Sequence, residues 1–287
     1  MGLDSERSIH LETKEIREGL VEYLKSLATS ELSLHTRNKY SRDIIRFLAF
    51  ITETQSLEKE KVIAYKQHLI GMYKISTVNS YLISLNRYFK WLRRNDLTVK
   101  TIKTQRKSGL ENILTADEYT KLLMYCLSKR KDKTYLLLRT LAGTGIRVGE
   151  LSSISRESAE HKIAAVTSKG KHRRIFISSE LSQLLLDYCH RQCIHSGIIF
   201  HGQRKDAALH PSGVWKALKR IAKAAGIDPS KVYPHSMRHL FAKTYMEKIG
   251  NIFELADLLG HSSVETTRIY ARTSEAEKHR RVEALLL

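Results

Sequence analysis

The sequence predicts a mainly α fold with a small β-sheet, divided into a helical N-terminal domain over residues 1–97 and an α+β domain over residues 113–287. Three observations carry that expectation. Apolar residues recur at helical spacing through most of the chain, only residues 162–178 alternate as two short strands around a turn, and residues 98–112 lose periodicity to become a basic, polar linker. With 287 residues, 42% of them hydrophobic, the chain has enough apolar material for two cores.

In the N-terminal domain the first helix spans about residues 11–27, with Ile16, Leu20, Tyr23, Leu24 and Leu27 on one face. Ser33 caps a second helix carrying Tyr40, Ile44, Phe47, Leu48 and Ile51. Ser56 precedes a third, over about residues 58–70, that Gly71 should stop; Ser76 precedes a fourth, over about residues 78–94. Beyond the linker, Thr115 and Glu118 form a capping box that opens a helix to about Ser128, and another apolar helix covers about residues 134–141. Gly143 and Gly145 then bracket a turn, and Arg147 and Glu150 fall on the first turns of a short helix whose Val148 and Leu151 face inward. This glycine pair is no nucleotide-binding loop, because the third glycine and the P-loop lysine are missing.

The hairpin strands are expected at about 162–167 and 173–178, with Lys169 beside Gly170 at the tip. Helices follow at about 181–193 and 212–225, and a last helix at 275–287. Between them lies YPHSMRHLFAKTYMEKIGNIFELADLLGHSSVETTRIY, residues 233–270. Pro234 suits a first helical position, and His235, Arg238 and His239 then share an arc of about 100°, opposite Met237, Leu240 and Phe241. Basic groups at the positive end of a helix dipole make sense where an anion binds. A second helix over 252–259 stops at Gly260; His261 stands in the turn before a Ser262–Glu265 capping box, and Tyr270 lies near the end of the next short helix.

Composition narrows the partner. The 49 Lys and Arg against 30 Asp and Glu leave a charge of +19, and both halves of the chain are basic, which favours nucleic acid. In the N-terminal domain Arg37, Lys39, Arg42, Arg46, Lys74, Arg87, Lys90, Arg93 and Arg94 dot the exposed faces. No stretch approaches the ~18 apolar residues of a membrane span, and the N-terminus lacks a signal-peptide core. Cys126, Cys189 and Cys193, an odd number, fit reduced thiols in a cytoplasm; with His195 they lack the second Cys pair of a zinc site. His235 and His239 at i and i+4, with His261, could also be read as metal ligands. Ser236 stands where a zinc protease needs Glu, and Arg238 would face the cation, so no metal is expected.

Taken in chain order, Arg147 in TGIRVGEL, Lys169 in a K-G hairpin, His235 and Arg238 in HSMRH, His261 in LLGHSS and Tyr270 in TTRIY resemble the tyrosine recombinase, or phage integrase, family, above all its compact two-domain Xer-like members. Met237, where leucine is common, is a small departure. The resemblance implies a core-binding, SAM-like DNA-binding domain over residues 1–97 and a catalytic domain over 113–287 ending in a docking helix. It implies attack by Tyr270 on a DNA phosphorus to give a 3′-phosphotyrosyl link and a free 5′-hydroxyl, with no cofactor. Arg147 and Arg238 would clamp the phosphate, His261 would donate to its oxygens, His235 would be the general base and Lys169 the general acid. Glu150 would orient Arg147, and His239 would stand behind the reacting groups. Partners implied are double-stranded DNA with an inverted-repeat core site and three further copies of the chain, held through the C-terminal helix. Two other classes use the same letters: a type IB topoisomerase relaxing DNA, and a non-catalytic DNA-binding protein, which would have tolerated loss of Tyr270 or of an arginine.

Overall fold

The computed structural model describes residues 13–51, 57–103, 114–168, 171–202, 207–261, 263–270 and 282–283. Lys169, Ser56, Ser262 and nearly all of the expected last helix lie outside them. The chain forms two compact units, residues 1–106 and 107–287, each with its own core.

The first unit packs four helices, α1 (Thr13–Thr29), α2 (Leu34–Phe50), α3 (Lys59–Met72) and α4 (Ile75–Trp91). Ser33 caps α2 as its sequence requires, accepting from the Thr36 amide. Gly71 does not end α3, which runs through it to Met72; Gly71 faces open space, and α3 is held by burial of Val62, Tyr65 and Leu69. Ser76 likewise lies inside α4, whose N-cap position is Lys74. The core is rich in rings: Phe47 meets Tyr65 and Phe89 edge-on, with centroids 5.1 and 5.6 Å apart. The chain after α4 does not leave at once. Asn86 donates to the Val99 carbonyl (2.7 Å) and accepts its amide (3.0 Å), and Asn79 does the same for Ile102 (2.9 and 2.8 Å). Two asparagines two helical turns apart thus hold residues 98–103, which the sequence had assigned to the linker, as an extended strap.

The second unit is also mainly helical. It contains α5 (Ala116–Ser128), α6 (Asp132–Thr144), α7 (Arg156–His161), an antiparallel hairpin of β1 (Ile163–Ser168) and β2 (Lys171–Phe176), then α8 (Ser179–Arg191), α9 (Pro211–Ala224), α10 (Pro234–Lys248) and α11 (Ile252–Leu259). The Thr115–Glu118 capping box opens α5, and Gly145, at φ +61°, closes α6 in the left-handed region. The hairpin pairs Ile163 with Phe176 and Ser168 with Lys171, so β2 begins two residues before its expected start. Its inner face, Ala164, Val166, Ile175 and then Ile177, joins a core with Leu137, Leu141, Leu151, Leu185, Val214 and Met237. A smaller cluster of Ala242, Leu255 and Leu259, with Phe241, Tyr245 and Tyr270 against it, binds α10 and α11 together.

Candidate active site

Four sequence-distant segments bring the basic groups together. Arg147 precedes a 3-10 turn, Val148–Ser153, and Glu150 reaches back to it twice: one carboxylate oxygen accepts the Arg147 amide (3.1 Å), the other its Nη1 (3.0 Å). Pro234 opens α10 at its first turn, and Tyr233 occupies the cap position. From that helix Arg238, 3% exposed, donates to the Gly145 carbonyl (2.6 Å) and the Leu259 carbonyl (2.5 Å).

The C-terminus of α11 is the meeting point. Three successive carbonyls accept from three different arginines: Leu258 from Arg173 (2.5 Å), Leu259 from Arg238 (2.5 Å) and Gly260 from Arg147 (2.9 Å). The last carbonyls of a helix have no partner within it and carry the negative end of its dipole, so cations belong there. Gly260 makes the arrangement possible twice over. Its φ of +61° suits glycine, and a Cβ there would come within 2.5 Å of Cδ of Arg173.

Arg173 was missed in the sequence. It lies on β2 in register with Val166, two residues before the buried Ile175, and the strand's alternation should have flagged a charge on an apolar face. Its Nη2 binds the Glu150 carboxylate (2.5 Å), so Glu150 is shared between Arg147 and Arg173. Burial works to raise the Glu150 carboxyl, yet hydrogen bonds from Arg147 and Arg173 hold its pKa below the ordinary value. Desolvation, with the charges of Arg147 and Arg173, pulls Arg238 down to about 10.

Tyr270 closes a 3-10 turn, Arg268–Tyr270, and its hydroxyl hydrogen-bonds Nδ1 of His239, the ring centroids being 5.6 Å apart. Burial pushes the phenol up to about 12, while Arg238 pulls the other way. The expected base, His235, is exposed on the first turn of α10, with its ring 6.3 Å from that of His239. Sequence reasoning put His239 behind the reacting groups; the structure puts it against the tyrosine. Both imidazoles are held below their ordinary pKa by desolvation first and then by neighbouring charges, Arg238 and Arg147 for His235, His235 and Arg238 for His239. His261 leaves the end of α11 and shares a 2.8 Å hydrogen bond with the buried Thr267 hydroxyl, a partner the sequence did not reveal. Desolvation and the charges of Arg238, Arg147 and Arg173 push it down to about 4. The cap expected at Ser262 falls on Ser263, which accepts the Glu265 amide.

On the first unit, some basic residues serve the fold. Lys39 is bound to Asp43 (2.5 Å) and Ser84 (2.9 Å), and Arg94 to Asp96. Arg46 is different. Exposed on α2, it donates to the hydroxyls of Tyr73 (2.7 Å) and Tyr81 (2.6 Å) and stacks beside both rings.

Paired arginines with a half-buried tyrosine beside them are side chains of the class that phosphate chemistry uses. Residues 112–277 match the phage integrase family, and residues 20–96 match the N-terminal SAM-like domain of phage integrases. The chain belongs to the phage integrase family. Tyrosine recombinase XerA of Pyrococcus furiosus is 33% identical over 208 residues, covering 70% of this chain and 71% of that protein. A tyrosine recombinase of Pseudothermotoga lettingae is 30% identical over 273 residues, covering 89% and 93%. Among solved structures, XerH site-specific recombinase bound to difH substrate shares the fold at a TM-score of 0.67 and 20% identity, covering 94% of this chain and 84% of that one. A lambda integrase dimer bound to a core site gives 0.71 and 20%, covering 89% and 95%.

Proposed function

We propose that the protein is a site-specific DNA recombinase that cuts and rejoins DNA through a 3′-phosphotyrosyl intermediate. Family membership supports the class of reaction. The observation that carries the reading on this chain is the convergence of Arg147, Arg238, His261 and Tyr270 around the end of α11. In the forward step the Tyr270 oxygen bonds to phosphorus and the phosphorus–O5′ bond breaks. The phenol's proton leaves to a base, and the departing 5′-oxygen receives one, so a 5′-hydroxyl results. Arg147 and Arg238 keep N–H groups beyond those spent on carbonyls and Glu150, and these, with His261, would stabilise charge on the non-bridging oxygens. Lys169 remains the proposed acid. The energy of the broken bond is kept in the phosphotyrosyl link, so rejoining needs no ATP.

The partner is DNA, and the first unit is proposed to hold it as a core-binding domain, residues 107–287 supplying the chemistry. Exchange between two duplexes requires four active tyrosines, hence a homotetramer on paired inverted-repeat sites, assembled through the tail after Tyr270. The apolar VEALLL ending of that tail favours such docking. A cytoplasmic location suits a DNA substrate and the free Cys126, Cys189 and Cys193. Among the described residues no helix is long and apolar enough to cross a membrane.

The test begins with Tyr270→Phe full-length chain, used to select a bound duplex from a random library. A nicked version of that duplex is then given to both chains. The parent should form a detergent-resistant protein–DNA adduct and the variant none, although both bind. An adduct on the variant means another nucleophile; none on the parent means no transesterase.

A further inference from the structure

Arg173 sits where the β-hairpin, the Arg147 turn and the end of α11 converge. Its side chain is 11% exposed, one terminal nitrogen is given to Glu150, the other to the Leu258 carbonyl, and its Nε is buried without a partner. Three guanidiniums share the end of α11, and Glu150 is the carboxylate bound to two of them. We infer that Arg173 is a positioning residue for the reaction proposed above: it fixes Glu150 and the end of α11, and through them the direction in which Arg147 presents its free N–H groups to phosphate.

The geometry shows why this is more than a buried ion pair. One Glu150 oxygen takes Nη1 of Arg147; the other takes the Arg147 amide and Arg173. Without Arg173 the second oxygen loses its charged partner, and the carboxylate is free to swing onto both forks of Arg147. Those are the donors a phosphate needs. The Leu258 carbonyl is released at the same time, one residue from the carbonyl holding Arg238 and two from the one holding Arg147. In sequence Arg173 stands four residues after Lys169, the proposed acid. The inference rests on the recombinase reading, and adduct formation by the parent chain tests that reading separately.

Arg173→Leu should bind the selected duplex with unchanged Kd and form adduct about 100-fold more slowly, the scale of a small misplacement of a reacting group. The decisive arm uses a duplex with a methylphosphonate at the cut position, which removes one non-bridging oxygen and its charge. There the deficit of Arg173→Leu relative to the parent should shrink at least about tenfold, as for an Arg147→Ala control, since less charge needs clamping. A 5′-bridging phosphorothiolate, whose leaving group needs no proton, should leave the deficit intact. Equal deficits on phosphodiester and methylphosphonate overturn the inference, as does rescue by the phosphorothiolate or a parental rate. If circular dichroism shows Arg173→Leu unfolded, Arg173→Lys keeps the charge on a single nitrogen, which cannot span both Glu150 and the Leu258 carbonyl as the guanidinium fork does. It should show a smaller deficit with the same substrate pattern, and absence of that pattern is equally fatal.

Discussion

The Tyr270 hydroxyl is bound by Nδ1 of His239, 31 residues earlier in the chain, and not by His235. A neutral imidazole can accept the phenol's proton, and desolvation keeps His239 neutral. His239 is therefore the nearer base in this arrangement, and His235, the more exposed of the two, is better placed for a group arriving with the DNA.

Replacing His239 by Ala should slow adduct formation by about 100-fold or more with little change in DNA affinity, the usual scale for losing a general base. His239→Gln, which keeps a polar group but not the base, should remain slow. Because His239 and His235 titrate below the ordinary value of 6.5, single-turnover cleavage should stay flat from about pH 8 to 6.5 and fall only under more acid conditions. A decline beginning above that range counts against both histidines as bases.

Acid should also weaken the second unit itself. His261 has a folded pKa of about 4 against 6.5 ordinarily, so between those values the unfolded chain binds more protons than the folded one. Stability is therefore full above pH 6.5 and is lost as pH falls toward 4. Urea midpoints measured across that window should drop steadily in the parent and less steeply in His261→Asn. An equal slope in the two chains would show that His261 is not so desolvated.

Gly260→Ala places a Cβ at φ +61° and against Arg173. The backbone strain alone should cost about 1–3 kcal/mol, read from urea denaturation. Displacing Arg173 should reduce cleavage as well, beyond what lost stability explains at a temperature where the variant stays folded. A variant matching the parent in both respects contradicts the packing at the end of α11.

Arg46→Ala tests the first unit. A phosphate contact contributes through counterion release, so the variant should lose affinity about equally for all duplexes, and the slope of log K against log salt should fall by about one. Loss confined to one base sequence would instead make Arg46 a base reader.

The helices were legible because their apolar faces and caps are local properties. Ser33, Thr115 with Glu118, and Gly260 each act within a few residues, and each does what its spacing requires. Gly71 misled for the opposite reason: its stop signal is weak, and packing of Val62, Tyr65 and Leu69 overrides it. Within the site, Arg147, Arg238, His261 and Tyr270 could be named from joint spacing, but not their partners. Which carbonyl an arginine meets, and which histidine a tyrosine meets, depends on how α10, β2 and α11 pack. Arg173 shows the limit from the other side, since its strand alternation was readable and its bond to Glu150 was not.

The span between partners has a consequence for a chain emerging from the ribosome. Arg147 waits 113 residues for Gly260, and Arg238 waits 21 for Leu259. Until α11 is made, none of the three guanidiniums has its carbonyl at that helix, and the tyrosine follows later still. An unfinished polypeptide thus lacks the assembled arginine cluster, and the ability to break a strand arrives only with the last part of the second unit.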